Sequence, residues 1–453
     1  MSMVREPGPP PMRRAEPVVR RGRPPARNEV HCAGRLGGLD AAALATRFGT
    51  PFYAYDLDVV TRQVQALARA MPPAFDLAYA VKANPNLAVL RHLKDLGLGA
   101  DVASAGELRH AARAGIAADR MVVTGPGKRD EELAAAVEAG VRAVTVESVG
   151  ELRRLAAIAA GLGRRQPIML RAAVTEAARL ERVRLVGDDG AGKFGMDAAD
   201  LRLAAAEAVA SAWLEPVGLH AFGASNVLDA AALAAHVEAT VETAIGLAAT
   251  AGFELRLVDV GGGLGIPYES HEDALDLDAL GHRLDAIARR LAADPATRAT
   301  GVLLEPGRFL VGAAGAYVAR VVDRKVVGGQ HVVILDGGIH HVLRPALVGQ
   351  EHRVRVLTGA ASTASAVNAQ RFPVTIAGPL CSGLDVFAQS AVMAVPDPGD
   401  LVAVLDVGAY GATESMPFFL SHAMPPEIAI RGGGAWVSRP RIEPEVWLGW
   451  QEG

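Results

Sequence analysis

The 453-residue chain reads as a (β/α)8 barrel followed by an all-β domain. Three observations predict this. Eight short apolar runs alternate with Ala/Leu-rich stretches of helical period between residues 50 and 310. Beyond 310 the helical stretches give way to short β-rich runs bounded by Gly, Pro or Asp. A content of 50% hydrophobic and 21% charged residues supplies a large core and excludes wholesale disorder.

Residues 1–30 hold seven prolines and seven arginines against three glutamates, the composition of a solvated tail. Residues 31–49 are assigned with 311–440 to the β-domain, and 50–310 to the barrel. Barrel strands are predicted at 76–81, 99–103, 121–124, 143–146, 168–173, 216–221, 255–260 and 301–305. Helices are predicted at 87–97, 105–114, 130–139, 148–162, 198–212, 228–251 and 274–294. The β-domain strands are placed at 315–322, 331–335, 352–357, 372–377 and 401–405. No repeat of fixed period appears beyond the βα alternation.

Composition also excludes function classes. A net charge of −4 gives no electrostatic reason to expect nucleic acid. No apolar run reaches the roughly 18 residues of a membrane span, and the N-terminus lacks the apolar stretch of a signal peptide. Cys32 and Cys381 are the two cysteines, too few for a disulfide framework or a cysteine zinc site. A cytoplasmic protein is expected.

The chemistry lies at and just beyond the end of each strand, because active sites of such barrels sit at the C-terminal strand ends. Strand 1 runs into Lys82, strand 2 carries Asp101, and strand 5 contains Arg171. Strand 6 runs into His220, Phe222, Ser225 and Asn226. Strand 7 ends in Asp259 and the triplet Gly261–Gly262–Gly263, and strand 8 in Glu305, Gly307 and Arg308. Three glycines let backbone N–H groups approach an anion closely, and Arg308 adds charge for a phosphate or carboxylate. No GK[ST] follows the triplet, which argues against a nucleotide loop. A lysine at a buried strand end suits Schiff-base chemistry once its amine is desolvated. Lysine, phosphate cradle and a carboxylate for a pyridinium nitrogen together describe a pyridoxal phosphate site.

The ordered motifs K-A-N-x, D-V-A-S-x-G-E, G-G-G, E-P-G-R, G-P-x-C-x-x-x-D and G-A-Y resemble those of the fold-type III pyridoxal phosphate decarboxylases, the ornithine and diaminopimelate decarboxylase group. The resemblance covers residues 40–430 and implies an alanine racemase-like TIM barrel with a C-terminal β-domain. It implies that Lys82 holds pyridoxal 5'-phosphate as an internal aldimine and that Glu305 keeps the pyridine nitrogen protonated. It implies that Gly261, Gly262, Gly263, Ser225, Gly307, Arg308 and Tyr410 bind the phosphate, and that Asp101, Arg171 and His220 lie near the ring. Cys381 in GPLCSGLD is implied to come from a partner subunit and reprotonate the substrate carbanion, which makes the protein a homodimer with shared sites. Arg344 in LRPAL matches an arginine that takes a substrate carboxylate. No metal is expected, since the His340–His341 pair lacks a third ligand.

Three departures bear on the substrate. Phe222 stands where the family places a histidine that stacks on the cofactor. Ser382 follows the cysteine where ornithine decarboxylases carry an aspartate for the distal ammonium. Val348 occupies a tyrosine position of diaminopimelate decarboxylases. The segments GLHAFGASN, DGGIHH, GPLCSGLD and GAYGATESMPFFLSH are closer to a branch associated with exosortase loci and with aminoglycoside biosynthesis, the latter acting on an aminoacyl group held on a carrier protein.

The residues therefore indicate α-decarboxylation of an amino acid, favoured as an acylated or carrier-bound one. Ser382, Asp385, Arg308, Arg344 and Tyr410 are the candidate substrate contacts, with Asp385 and the 340–344 loop available to a cationic tail. The alternatives are decarboxylation of free diaminopimelate, ornithine or lysine, an amino-acid racemase, and a catalytically dead regulator that binds other proteins. Glu305 and Cys381 speak against the racemase. Lys82 and the phosphate set speak against the regulator.

Overall fold

A computed structural model describes residues 34–174, 192–349, 351–358 and 370–452. The basic tail and Cys32 lie outside the described residues. The chain opens with a small hairpin, β1 (Arg35–Leu36) and β2 (Leu39–Asp40), a helix at Ala41–Phe48, and β3 (Phe52–Asp56). Then come β4 (Phe75–Ala80), β5 (Gly99–Val102), β6 (Met121–Val123), β7 (Ala143–Val146), β8 (Gln166–Arg171), β9 (Leu214–His220), β10 (Leu257–Asp259) and β11 (Gly301–Leu304). All eight are parallel, and β11 returns to β4 through Val302 opposite Phe75, which closes the barrel. Ala78, Val122, Ala143, Met169, Val217, Leu257 and Leu303 form a separate buried cluster drawn from seven of these strands. The barrel interior is thus a packed core and not a pore.

The second unit is a nine-stranded sheet. It contains β12 (Gly315–Val327), β13 (Gln330–Leu335), β14 (Val354–Val356), β15 (Phe372–Ala377), β16 (Val386–Met393), β17 (Leu401–Leu405), β18 (Glu427–Arg431) and β19 (Gly434–Arg439). Its ninth strand is β3, antiparallel to β12 and parallel to β18, with Tyr53 opposite both Tyr317 and Glu427. The sequence pattern alone assigns these residues to the barrel, and the structure corrects that. Every residue of β3 is buried, so its side chains do not alternate between core and solvent as an edge strand's would. Such a run looks like a buried barrel strand until its partners are known. Strands β16, β18 and β19 are likewise absent from the sequence pattern.

Two helices that flank the barrel mouth begin with the same device. Ser104 Oγ accepts the Glu107 N–H at 3.1 Å, and Glu107 Oε2 accepts the Ala103 N–H at 2.7 Å. Ser148 and Glu151 repeat it, Ser148 Oγ accepting the Glu151 N–H at 3.0 Å. The S-x-G-E within the D-V-A-S-x-G-E motif is therefore an N-cap, with Glu107 reaching back one residue beyond it, that fixes where the chain leaves the strand that carries Asp101.

Candidate active site

The strand ends enclose a cavity of about 300 Å³. Lys82, Arg171, His220, Phe222, Ser225, Glu305, Arg308, Arg344 and Tyr410 all line it, so most of the residues singled out in the sequence meet at one place. Lys82 sits on a short 3-10 turn directly after β4. Its Nζ donates to Asp101 Oδ2 at 2.9 Å, and Asp101 Oδ1 accepts the Thr124 hydroxyl at 2.6 Å. No carboxylate adjoins this lysine in the sequence; β5 supplies one. Burial works against the ammonium charge, but Asp101 and Glu305 outweigh it and hold the pKa above the ordinary lysine value. Burial and the charge of Glu305 raise the Asp101 pKa in turn. Lys82 Nζ and Asp101 Oδ2 thus share one charged hydrogen bond.

The floor is a group of three buried residues, His220, Asp259 and Glu305, whose ligand atoms all lie within 4.8 Å of one another. Burial pushes the Glu305 carboxyl up. His220, whose Nε2 is 3.6 Å from Glu305 Oε2, outweighs that together with Lys82 and Asp259, and holds Glu305 below the usual carboxylate range. Asp259 moves the other way, raised by burial and by the charge of Glu305. The ionised form is thus favoured at Glu305 and the protonated form at Asp259, which suits Glu305 to accept from a proton-bearing nitrogen in the cavity.

The glycine triplet is shaped by close approach. Gly261 and Gly263 have φ of 66° and 90°, and a Cβ on Gly261 would lie 2.6 Å from the Phe222 ring. On Gly263 it would lie 2.6 Å from the Ala224 carbonyl. Gly307 leaves the same kind of room, since a Cβ there would stand 3.0 Å from that of Ala83. Arg308, at the start of the short helix Arg308–Val311, donates from Nη1 to the Tyr268 hydroxyl at 2.7 Å and from Nη2 to Ser225 Oγ at 3.3 Å. Its guanidinium also lies 4.9 Å from the Tyr410 ring centre. Tyr410 itself adopts φ of 64°, a strained value for a non-glycine residue, and its N–H donates to Ala83 O at 2.8 Å.

Several partners are invisible in the sequence. Arg171 is held by Glu147 at 2.5 Å and lies 4.7 Å from the Phe194 ring centre. Arg344, expected to take a substrate carboxylate, is instead paired with Glu414, Nη1 to Oε2 at 2.7 Å. Asp385 is corrected more sharply. It is 2% exposed, and its two oxygens accept the N–H groups of Ile339 at 2.8 Å and Leu380 at 2.7 Å, so it builds its own loop and is not free for a cationic tail. Cys381 and Ser382 are not among the residues lining the cavity, and Cys381 is exposed. His340 and His341 stack at 3.6 Å, with His422 4.8 Å from His340. His341 Nε2 donates to Ala423 O and its Nδ1 bonds the Tyr317 hydroxyl, so both of its ring nitrogens are used within the β-domain.

The cavity fits pyridoxal 5'-phosphate on its own geometry. Glu305 Oε1 is buried without a donor, and Arg308 Nε is buried without an acceptor. An acceptor oxygen at the cavity wall and a guanidinium with one N–H still unpartnered beside a glycine-lined turn match a ring N–H and a phosphate.

Comparison with known proteins points the same way. Residues 57–312 match the family described as pyridoxal-dependent decarboxylase, pyridoxal binding domain. The L-glutamyl-[BtrI acyl-carrier protein] decarboxylase of Niallia circulans is 32% identical over 408 residues, covering 88% of this chain and 92% of that protein. The diaminopimelate decarboxylase of Methanothermobacter thermautotrophicus is 33% identical over 427 residues, covering 91% and 94%. The crystal structure of diaminopimelate decarboxylase from Helicobacter pylori complexed with L-lysine superposes with a TM-score of 0.81 at 28% identity, covering 91% of this chain and 99% of that one.

Proposed function

The chain belongs to the pyridoxal-dependent decarboxylases, and on that premise we propose that it removes the α-carboxylate of an amino acid whose side chain is derivatised, delivered free or on a carrier protein. As a member it is a carboxy-lyase that uses pyridoxal 5'-phosphate. The observation that carries the residue assignment is the buried carboxyl of Glu305, which lines the cavity with Oε1 unpartnered and His220 Nε2 3.6 Å from Oε2.

Each residue then has a task. Lys82 would be the cofactor's covalent anchor, with Asp101 as the hydrogen-bond partner of its amine. Glu305 would accept the ring N–H, with His220 and Asp259 beside it. Arg308, Ser225 and the backbone of Gly261–Gly263 and Gly307 would hold the phosphate, with Tyr410 beside Arg308. Phe222 and Arg171 would line the ring's surroundings. When bound, the cofactor supplies an electron sink for the pair left at the substrate Cα as CO2 departs.

Cα must then regain a proton. Cys381 is the proposed donor, reaching the cavity from a second copy of the chain in a two-fold homodimer. Its exposure within one subunit supports this, and an exposed free thiol also suits a reducing, cytoplasmic compartment. Ser382 carries no charge for a distal ammonium, which together with the carrier-linked relative supports a derivatised substrate. Among the described residues no helix is long and apolar enough to cross a membrane.

The test is CO2 release by the cofactor-loaded protein against free meso-diaminopimelate, ornithine, lysine, arginine and glutamate, beside side-chain amides and thioesters of glutamate. Turnover confined to the derivatives is expected. Efficient turnover of a free diamino acid would overturn the substrate assignment.

A further inference from the structure

One charged pair in the cavity is not needed by the cofactor. Arg344 opens the short helix Arg344–Val348, is 3% exposed, and lies with its guanidinium 5.2 Å from the Tyr410 ring centre. Its Nη1 donates to Glu414 Oε2 at 2.7 Å, and its Nε is buried with no partner. Glu414 lies one turn beyond Tyr410, lines the same cavity, and keeps 32% of its side chain exposed. The other cations at the mouth are engaged: Lys82 by Asp101, Arg171 by Glu147, and Arg308 by Tyr268 and Ser225.

We propose that Arg344 and Glu414 act together as the specificity element for the far end of the substrate side chain, selecting an uncharged acyl group, which accepts a hydrogen bond and, as an amide, also donates one. A side-chain amide, or the amide of an acyl derivative, is the chemistry that fits. The inference rests on the reading of this cavity as an amino-acid decarboxylase site.

The selection arises from pairing. A free carboxylate can reach Arg344 only by competing with Glu414, and then leaves that carboxylate half-buried beside a second negative charge. A free ammonium can meet Glu414 only within the field of Arg344. An amide disturbs neither charge: its carbonyl accepts from the cavity-lining guanidinium of Arg344, and its N–H donates to Glu414. A site that pairs its own charges in this way discriminates by the partner it would leave unsatisfied. Glu414 acts here as a guard on Arg344, and removing it converts a neutral-group pocket into a carboxylate pocket.

The test is equilibrium binding of L-glutamine, L-glutamate and L-ornithine to the holoenzyme, read from the change in cofactor absorbance and by calorimetry, so that turnover is not required. The wild type is expected to bind L-glutamine about tenfold more tightly than the two charged ligands. In Glu414→Ala and Glu414→Gln the order of L-glutamine and L-glutamate should invert, while the cofactor band and melting temperature report an intact fold. An unchanged order in both variants, or a wild type that binds L-glutamate or L-ornithine best or fails to bind L-glutamine, would overturn the proposal. Efficient decarboxylation of free diaminopimelate by the wild type would instead sink the underlying substrate reading, which the variants do not address.

Discussion

The barrel mouth and the Cys381 loop carry equally specific sequence motifs, yet the structure treats them differently. At the mouth, the charged groups find partners within the chain: Lys82 with Asp101, Arg171 with Glu147, Glu305 with His220 and Asp259. In the loop, Asp385 folds the turn by binding backbone N–H groups, while Cys381 is exposed and stands outside the cavity lining of its own chain. The difference teaches that contacts within one chain pre-organise the cofactor cavity, whereas the proposed proton donor is no part of that arrangement. Motif strength measures neither where a residue points nor whose site it serves.

The sharpest way to break this division is at the mouth. Lys82→Ala should abolish the cofactor's long-wavelength absorbance band and bring CO2 release to background; persistence of both would remove the lysine from its role. Glu305→Gln should keep phosphate-anchored cofactor but slow turnover by about a hundred- to ten-thousand-fold, because a neutral amide no longer holds the ring proton. Single-turnover measurement of CO2 release separates this from a binding defect, which would move affinity for the cofactor instead.

At the loop, Cys381→Ala should slow turnover about a hundredfold and misplace the proton, with the cofactor spectrum intact. Mixing inactive Lys82→Ala with Cys381→Ala protein should restore roughly a quarter of wild-type activity, since random pairing leaves one whole site in half the dimers. No recovery on mixing would mean that Cys381 serves its own subunit, and the comparison would collapse.

The smallest effect concerns acid stability. His340 is fully buried, and burial together with neighbouring His422 lowers its pKa to about 4. The folded state therefore keeps this ring neutral while the unfolded chain protonates it below its ordinary pKa. Its contribution is fully present above pH 6.5 and is lost as the pH falls toward 4. Melting temperature should decline across that window, with loss of β-domain packing ahead of the barrel. His340→Phe should flatten the decline, and an identical slope in the variant would place the acid sensitivity elsewhere.

The eight barrel strands are legible because apolar runs alternate with helical stretches, and six of them carry a chemically distinctive residue within the strand or at its end, such as the lysine after β4 or the glycines after β10. Phe52–Asp56 is not, because a strand buried on both faces carries no mark of which sheet it enters. The site is legible in its charged residues and opaque in their partners. Glu147, Tyr268 and Glu414 lie 24, 40 and 70 positions from the arginines they hold, and nothing local distinguishes them from solvated side chains. Arg344 accordingly looks free in the sequence, and Asp385 looks like a binding group when backbone N–H groups already use it.

The placement of β3 also sets a timetable for the newborn chain. Tyr53 emerges from the ribosome early, but its partner Tyr317 arrives roughly 260 residues later, a delay of about 13 to 50 seconds at ordinary rates of synthesis. The other flank, at Glu427, comes later still. Throughout that interval a strand destined for full burial waits with both edges unpaired, beside a barrel that can close without it. Chains released before β18 would present that ribbon to one another, so premature termination should yield aggregates seeded at Phe52–Asp56 and not soluble barrels.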